Sequence, residues 1–296
     1  MSLRFFPDDT KIDFISQKKI AFGLSILLLI GSIYLIISKG FNFGIDFTGG
    51  ILIEAQSDVE LSVIRKTLSK ENFGEISLQN FGEHNDIIIR IQGSENQEQV
   101  IEQVKRVLTE KVDNTIVFRK TDFVGPQVGG ELIKSGAIAL ISAFVMMMLY
   151  IWIRFEWQFG LGAIIALIHD SILTMGFFSL TWLEFNLTSI AAILTIVGYS
   201  INDSVVIYDR VREDLRKFKK KPIEEILNIS INETLSRTIL TAGTTICALL
   251  SLVFFGGEVL QSFSLAVLFG VTIGTYSSIY VASPILTVIS VNEESL

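Results

Sequence analysis

AAILTIVGYSINDSVVIYDRVRED, residues 191–214, decides how this chain folds. Most of the stretch is apolar enough to enter a bilayer, yet Asn202 and Asp203 lie inside it. A carboxylate in hydrocarbon costs several kcal/mol unless it is paired, wetted or protonated, so an intramembrane acid is by default a functional residue. On helical spacing Ile196, Tyr199, Ser200, Asp203, Val206, Ile207 and Arg210 share one side, a semi-polar face suited to other helices rather than to lipid. The plainer alternative is a buried Asp that locks two helices together.

Composition agrees with a membrane protein. Half of the 296 residues are hydrophobic, where a soluble globular chain carries more polar surface. The net charge of −7 decides nothing, because topology follows local Lys and Arg placement and not the sum. The lone Cys247 permits no intrachain disulfide and reads as a small packing residue.

Six apolar runs are long enough to span about 30 Å of hydrocarbon. The first, residues 20–38, follows Arg4, Lys11, Lys18 and Lys19, a positive flank that places residues 1–19 in the cytoplasm. It ends in Ser38, Lys39 and Gly40 without a cleavage site, so it reads as an anchor. Five more runs fall within 135–289, at about 135–153, 159–180, 187–208, 238–255 and 263–289. Both termini, including the tail 290–296, are then cytoplasmic. The short external loops 181–186 and 256–262 contain no Lys or Arg, while the internal loop 209–237 holds RVREDLRKFKKK. That basic run is explained by topology and lipid phosphate, and it has no interleaved aromatics for nucleic acid.

Residues 39–134 form the long polar stretch, outside the cytoplasm. Alternation and helical spacing predict strand 50–56, helix 58–71, strand 76–81, strand 86–92, helix 95–112 and strand 115–123. The order βαββαβ is the ferredoxin-like unit. His84, in GEHND, reads as a solvated turn residue, since no second His or Cys accompanies it. Two glycine-bearing segments bracket the domain: FGIDFTGG, with Gly44, Asp46, Gly49 and Gly50, and VGPQVGGEL, with Gly125 and Pro126. Neither has the Lys-Ser/Thr of a phosphate loop, and both read as tight turns where a polar domain meets membrane helices.

Further polar residues collect in the later runs. His169 and Asp170 lie about twelve residues into a helix entered from inside, ~18 Å deep. Gly162, Ala166, Asp170 and Thr174 recur every four residues, as do Gly270, Gly274 and Ser278, with Thr275 and Ser277 beside them: packing faces for close helix contact. Residues 222–237 carry a stripe of Ile223, Ile226, Leu227, Ile231 and Leu235, predicting an interfacial helix that leads into the fifth span. It ends at Arg237, which the same reading brings to Asp203 directly or through water, because each lowers the other's burial cost. Two carboxylates and an arginine in adjacent spans suit a proton relay.

GIDFTGG after the first span, VGPQVGGEL before the second, HD in the third, GYSINDSVVIYDRVRE in the fourth (with Gly198), ETLSRTILTAGTT into the fifth and FGVTIGTYSSIYVASP in the sixth resemble the motif series of the SecF family. The match is ordered and covers nearly the whole chain. The resemblance implies a six-helix polytopic membrane protein, similar to half of a resistance-nodulation-division (RND) transporter, with a ferredoxin-like extracytoplasmic domain between its first and second helices. It implies a bacterial inner-membrane subunit, with SecD, the SecYEG channel and preproteins as partners, and YajC and YidC as further ones. Protons would be the coupling ion, with no other cofactor, no metal and no covalent chemistry. Asp203 and Arg237 would belong to the proton path; Asp170 and Asn202 join it from their depth and position. Two other classes fit the residues: a proton-coupled small-molecule efflux subunit, and a structural scaffold that tolerates neutral residues at Asp203 and Arg237.

Overall fold

The computed structural model describes residues 10–71, 73–74, 76–81, 85–92 and 97–289. Arg4, His84 and the tail 290–296 lie outside them. After a 3₁₀ turn, Ile15–Gln17, come α1 (Lys18–Lys39), β1 (Asn42–Phe43), α2 (Ile45–Thr48), β2 (Gly50–Gln56), α3 (Leu61–Leu68), β3 (Ile76–Phe81) and β4 (Asp86–Ile91). Then follow α4 (Gln97–Lys111), β5 (Val117–Val124), α5 (Pro126–Arg154), α6 (Trp157–Thr181), β6 (Glu184–Phe185), α7 (Leu187–Lys217) and α8 (Ile223–Phe255). The chain closes with α9 (Glu258–Ser277), a π-helical turn Ser278–Ala282 and α10 (Ser283–Ile285). Among the described residues six helices are long and apolar enough to cross a membrane.

The chain divides into two compact units. One comprises residues 43–139 with 185–187. Its sheet runs β3-β4-β2-β5, every neighbour antiparallel, which is the ferredoxin-like order. Alternation sets the faces: Ile51, Ile53 and Ala55 of β2 and Ile87, Ile89 and Ile91 of β4 point at Ile64 and Leu68 of α3 and Val104 and Leu108 of α4. The opposite face is not polar throughout, since Leu52 and Ile88 are buried there beside Ile45 of α2.

The GIDFTGG segment therefore does more than turn. Its first half is the short helix α2, and Gly49 and Gly50 leave it at φ of 68° and 116°. At Gly50 a side chain would also drive into the Ile91 carbonyl, so glycine is required twice over. The exit segment is helical as well. Helix α5 starts at Pro126, where a missing N–H costs nothing, and not at Ser135 where the apolar run begins.

The other unit comprises 1–42, 140–184 and 188–296 and is helical. Helices α6, α7 and α9 form its buried centre, and α1 and α8 are largely outward-facing. Small residues set the contacts. An added side-chain carbon at Gly270 would run into Ile196, at Gly274 it would lie 3.2 Å from Ser200 Cβ, and at Gly176 it would run into Ser32. At Gly162 it would sit 2.5 Å from the Tyr208 hydroxyl. Backbones this close are the packing solution for helices in lipid, where apolar burial gives no drive.

The interfacial helix expected at 222–237 is corrected. Residues 223–255 make one unbroken helix, and Ile226, Leu227, Ile231 and Leu235 pack on Tyr208, Val211 and Leu215 of α7 and on Phe14 and Ile15. The stripe thus serves a protein core, which satisfies its apolar surface without lipid. Its polar flank clasps the N-terminal segment: Asn228 Oδ1 accepts from the Phe14 and Ile15 N–H groups, and Asn232 bonds both backbone groups of Ile12. Part of the basic run is likewise spent within the chain, Arg210 on Glu213 and Glu233 and Arg212 on Glu156.

Candidate functional site

Asp203 sits on α7 and is 8 % exposed. Its Oδ1 accepts from Thr238 Oγ1 of α8 at 2.6 Å, and its Oδ2 accepts from Ser278 Oγ at the start of the π-helical turn. Short polar side chains from two neighbouring helices thus solvate a carboxylate that water does not. The π-turn itself has a local cause. Pro284 brings no N–H to the ladder, and the Ser283 N–H and hydroxyl both turn back to the Ser278 carbonyl, the hydroxyl at 2.8 Å. Tyr208 adds its hydroxyl to the Ala282 carbonyl at 2.9 Å. Single π-turns within α-helices are frequent at functional sites.

Arg237 does not reach the carboxylate. It is exposed on α8, and among the described residues it forms no ion pair. The side chain that does touch Asp203 is the next one along, Thr238. Asn202 and Gly198 are also exposed, on the outer side of α7.

Asp170, on α6, is completely buried. Its Oδ1 lies 2.9 Å from His169 Nδ1, and its Oδ2 accepts from Ser200 Oγ of α7 at 2.5 Å and from Ser277 Oγ of α9 at 2.6 Å. Ser200 is one helical turn before Asp203, and Ser277 directly precedes Ser278. The two buried acids are therefore linked by one adjacent pair of donors, Ser277 and Ser278, and by α7, which carries both Ser200 and Asp203. Among the described residues no group of three His, Cys, Asp or Glu side chains is placed to hold a metal ion.

A separate cluster surrounds the glycine segments. Gly44 N–H donates to the Phe185 carbonyl at 2.9 Å, and Asp46 Oδ2 accepts the N–H of Leu187, first residue of α7, at 3.0 Å. A carboxylate there also answers the positive end of the helix dipole. Gly129 lies against α2, where an added carbon would be 3.2 Å from the Phe47 carbonyl oxygen. GIDFTGG and VGPQVGG thus close on one another, with Phe43, Phe47 and Phe185 packed beside them. Gly125 opens α5 by accepting the Gly129 N–H.

The profile "Protein export membrane protein SecD/SecF, C-terminal" matches residues 103–292, and "SecD/SecF GG Motif" matches residues 34–59. The chain belongs to the SecD/SecF family. Over 291 residues it is 54% identical to the protein translocase subunit SecF of Rickettsia rickettsii (strain Sheila Smith), covering 96% of this chain and 94% of that one. The SecF of Rickettsia bellii (strain OSU 85-389) is 53% identical, with 97% and 96% covered. Among solved structures, the crystal structure of SecDF, a translocon-associated membrane protein from Thermus thermophilus, superposes with a TM-score of 0.87 at 34% identity. That match covers 96% of this chain and 39% of the SecDF chain, so this chain spans about two fifths of that longer polypeptide. A SecDF crystal structure in a super-membrane-facing form gives a TM-score of 0.71. With six apolar helices in the SecD/SecF arrangement, this is a multi-pass membrane protein.

Four residues of the site escape a reading by residue type. Thr238, Ser278, Ser200 and Ser277 all donate to a buried acid, yet small hydroxyl residues are also what any close helix contact uses. The signal that separates them is position: Ser277 and Ser278 precede a proline that breaks the regular ladder.

Proposed function

We propose that this chain is the SecF-type subunit of a Sec export accessory, using the proton motive force to promote completion of preprotein export. The observation that carries the reading is Asp203: an acid within a spanning helix, away from bulk water, held by two hydroxyls that can stay in place through a change of its protonation. A carboxylate that only locked helices would be better served by a direct cation, and Arg237 stands free to move toward or away from it. Protonation of Asp203 would leave Thr238 and Ser278 in contact but end the acid's attraction for Arg237, and so shift α7 and α8 against one another.

In this reading the chain lies in the bacterial inner membrane with both termini in the cytoplasm and the ferredoxin-like domain outside. Asn202 lies on an exposed face of α7 and would be costly toward lipid. A six-helix SecD partner is its natural cover, and the SecYEG channel delivers the preprotein. YajC and YidC are further partners on the same reading. The chain itself makes and breaks no covalent bond; protons are its coupling ion.

The test is preprotein export into membrane vesicles that hold the chain with its SecD partner, with and without an imposed proton gradient. Asp203→Asn keeps the side chain's volume and removes its titration. Loss of gradient-stimulated export, with the assembly intact, is the expected result; unchanged stimulation would remove the mechanism.

A further inference from the structure

The buried acid Asp170 holds two hydroxyl donors from other helices on Oδ2, and its Oδ1 lies 2.9 Å from Nδ1 of its sequence neighbour His169. An ionised carboxylate only accepts; two hydroxyls on one oxygen suit that form, and the contact at Oδ1 suits it when His169 carries its proton on Nδ1. The counter-charge of Asp170 has to come from nearby, since an isolated buried charge is costly. Among the described residues no Lys or Arg pairs with Asp170, and the one basic group in contact is His169.

His169 is 2 % exposed, and with Nδ1 on Asp170 its Nε2 is buried with no hydrogen-bond partner among the described residues. A buried ring nitrogen without a partner is uncommon and calls for an explanation. The surroundings contribute little else that titrates. From α9 come Tyr276, whose ring lies 6.4 Å from the imidazole, and Ser277; beyond Tyr276 stacks Tyr280 of the π-turn. The Tyr276 hydroxyl is itself engaged, by the Ala21 carbonyl and Ser25 of α1. From α7 come Ser200 and, one turn on, Asp203. Helix α1 has no charged residue between Lys19 and Lys39.

We propose that His169 and Asp170 form a second proton-binding site, in which Asp170 stays ionised and the exchangeable proton is carried on His169 Nε2. This deepens the proposed export mechanism and rests on it. In the loaded state an imidazolium faces the carboxylate and the pair has no net charge. In the unloaded state the imidazole is neutral, Nδ1–H remains on Asp170, and the proton has left from Nε2. The carboxylate charge then rests on the Ser200 and Ser277 hydroxyls. Because Ser277 is followed by Ser278, which donates to Asp203, the load on this pair is felt by the acid of the export mechanism through adjacent residues of one helix.

The chain has two histidines, so a His84→Gln chain leaves His169 as its single imidazole. ¹⁵N-histidine spectra of that full chain, together with its SecD partner in lipid nanodiscs, are recorded from pH about 5 to about 9. The expected result is a titrating Nε2 whose midpoint falls by at least about one pH unit in Asp170→Asn, and moves again in Asp203→Asn. A ring that keeps one protonation state throughout, or a midpoint that Asp170→Asn leaves in place, overturns the proposal. The wild-type titration needs no variant in the membrane to fold. Failure here with Asp203→Asn still blocking gradient-driven export sinks the dyad alone, whereas export that survives Asp203→Asn sinks the mechanism beneath it.

Discussion

Thr238 Oγ1 lies 2.6 Å from Asp203 Oδ1, so the neighbour of Arg237, and not Arg237 itself, holds the buried acid. This division of labour leaves a hydroxyl as the contact and a guanidinium as a charge nearby. A hydroxyl can donate to a carboxylate or accept from a carboxyl, while an arginine can only donate. The contact therefore survives a change in protonation that a direct ion pair would not.

Removing one of these hydroxyls should weaken the site measurably. Thr238→Val and Ser278→Ala each leave a buried carboxylate oxygen short of a donor, at a cost of about 1–3 kcal/mol. Each should lower gradient-stimulated export in vesicles, and Thr238→Ser, which keeps the hydroxyl, should restore most of it. Equal activity of Thr238→Val and Thr238→Ser would show that the contact is not used.

The glycine at 162 makes a packing prediction. In Gly162→Ala the new carbon falls 2.5 Å from the Tyr208 hydroxyl, which must leave the Ala282 carbonyl. Thermal unfolding in detergent should show a loss of about 1–3 kcal/mol. Tyr208→Phe gives up the same hydrogen bond and frees the space. The double variant should therefore be clearly less destabilised than the two single effects added together.

How far the sequence led is visible in these residues. The βαββαβ order and the edges of β2 and β3 follow from alternation, because each strand buries one face on α3 and α4 and period two survives in the residues. The burial of Asp203 between helices was legible because a charge in an apolar run is too costly to leave facing lipid. The start of α5 was not, since nothing in VGPQVGG distinguishes a turn from a helix that packs on its glycines. Nor was the stripe of 222–237 assignable, as an apolar face looks the same whether lipid or protein covers it. The role of Thr238 was hidden by Arg237: charge draws the eye, and the helix turn places the smaller neighbour inside.

The ferredoxin-like domain carries its own pH signature. Hydrogen bonds from the Ser57 hydroxyl, and then from the Thr115 hydroxyl and N–H, hold the Asp113 carboxyl below the usual carboxylate range. A depressed folded value means that the stabilisation is fully present above the unfolded value of about 3.9 and is lost as pH falls through the folded value. Thermal unfolding of the full chain should therefore weaken in that acid window. Asp113→Asn should lower stability at neutral pH and flatten the acid decline, whereas an unaltered decline would assign it to other carboxylates.

The central claim is that protons enter this membrane unit at Asp203 and that their passage is what drives export. Its most direct measurement is proton influx, followed with an entrapped pH dye in proteoliposomes holding the chain, its SecD partner and a translocating preprotein, after a pH step across the membrane. The account predicts influx for the wild type and none above leakage for Asp203→Asn at equal incorporation. Equal influx from both would contradict it.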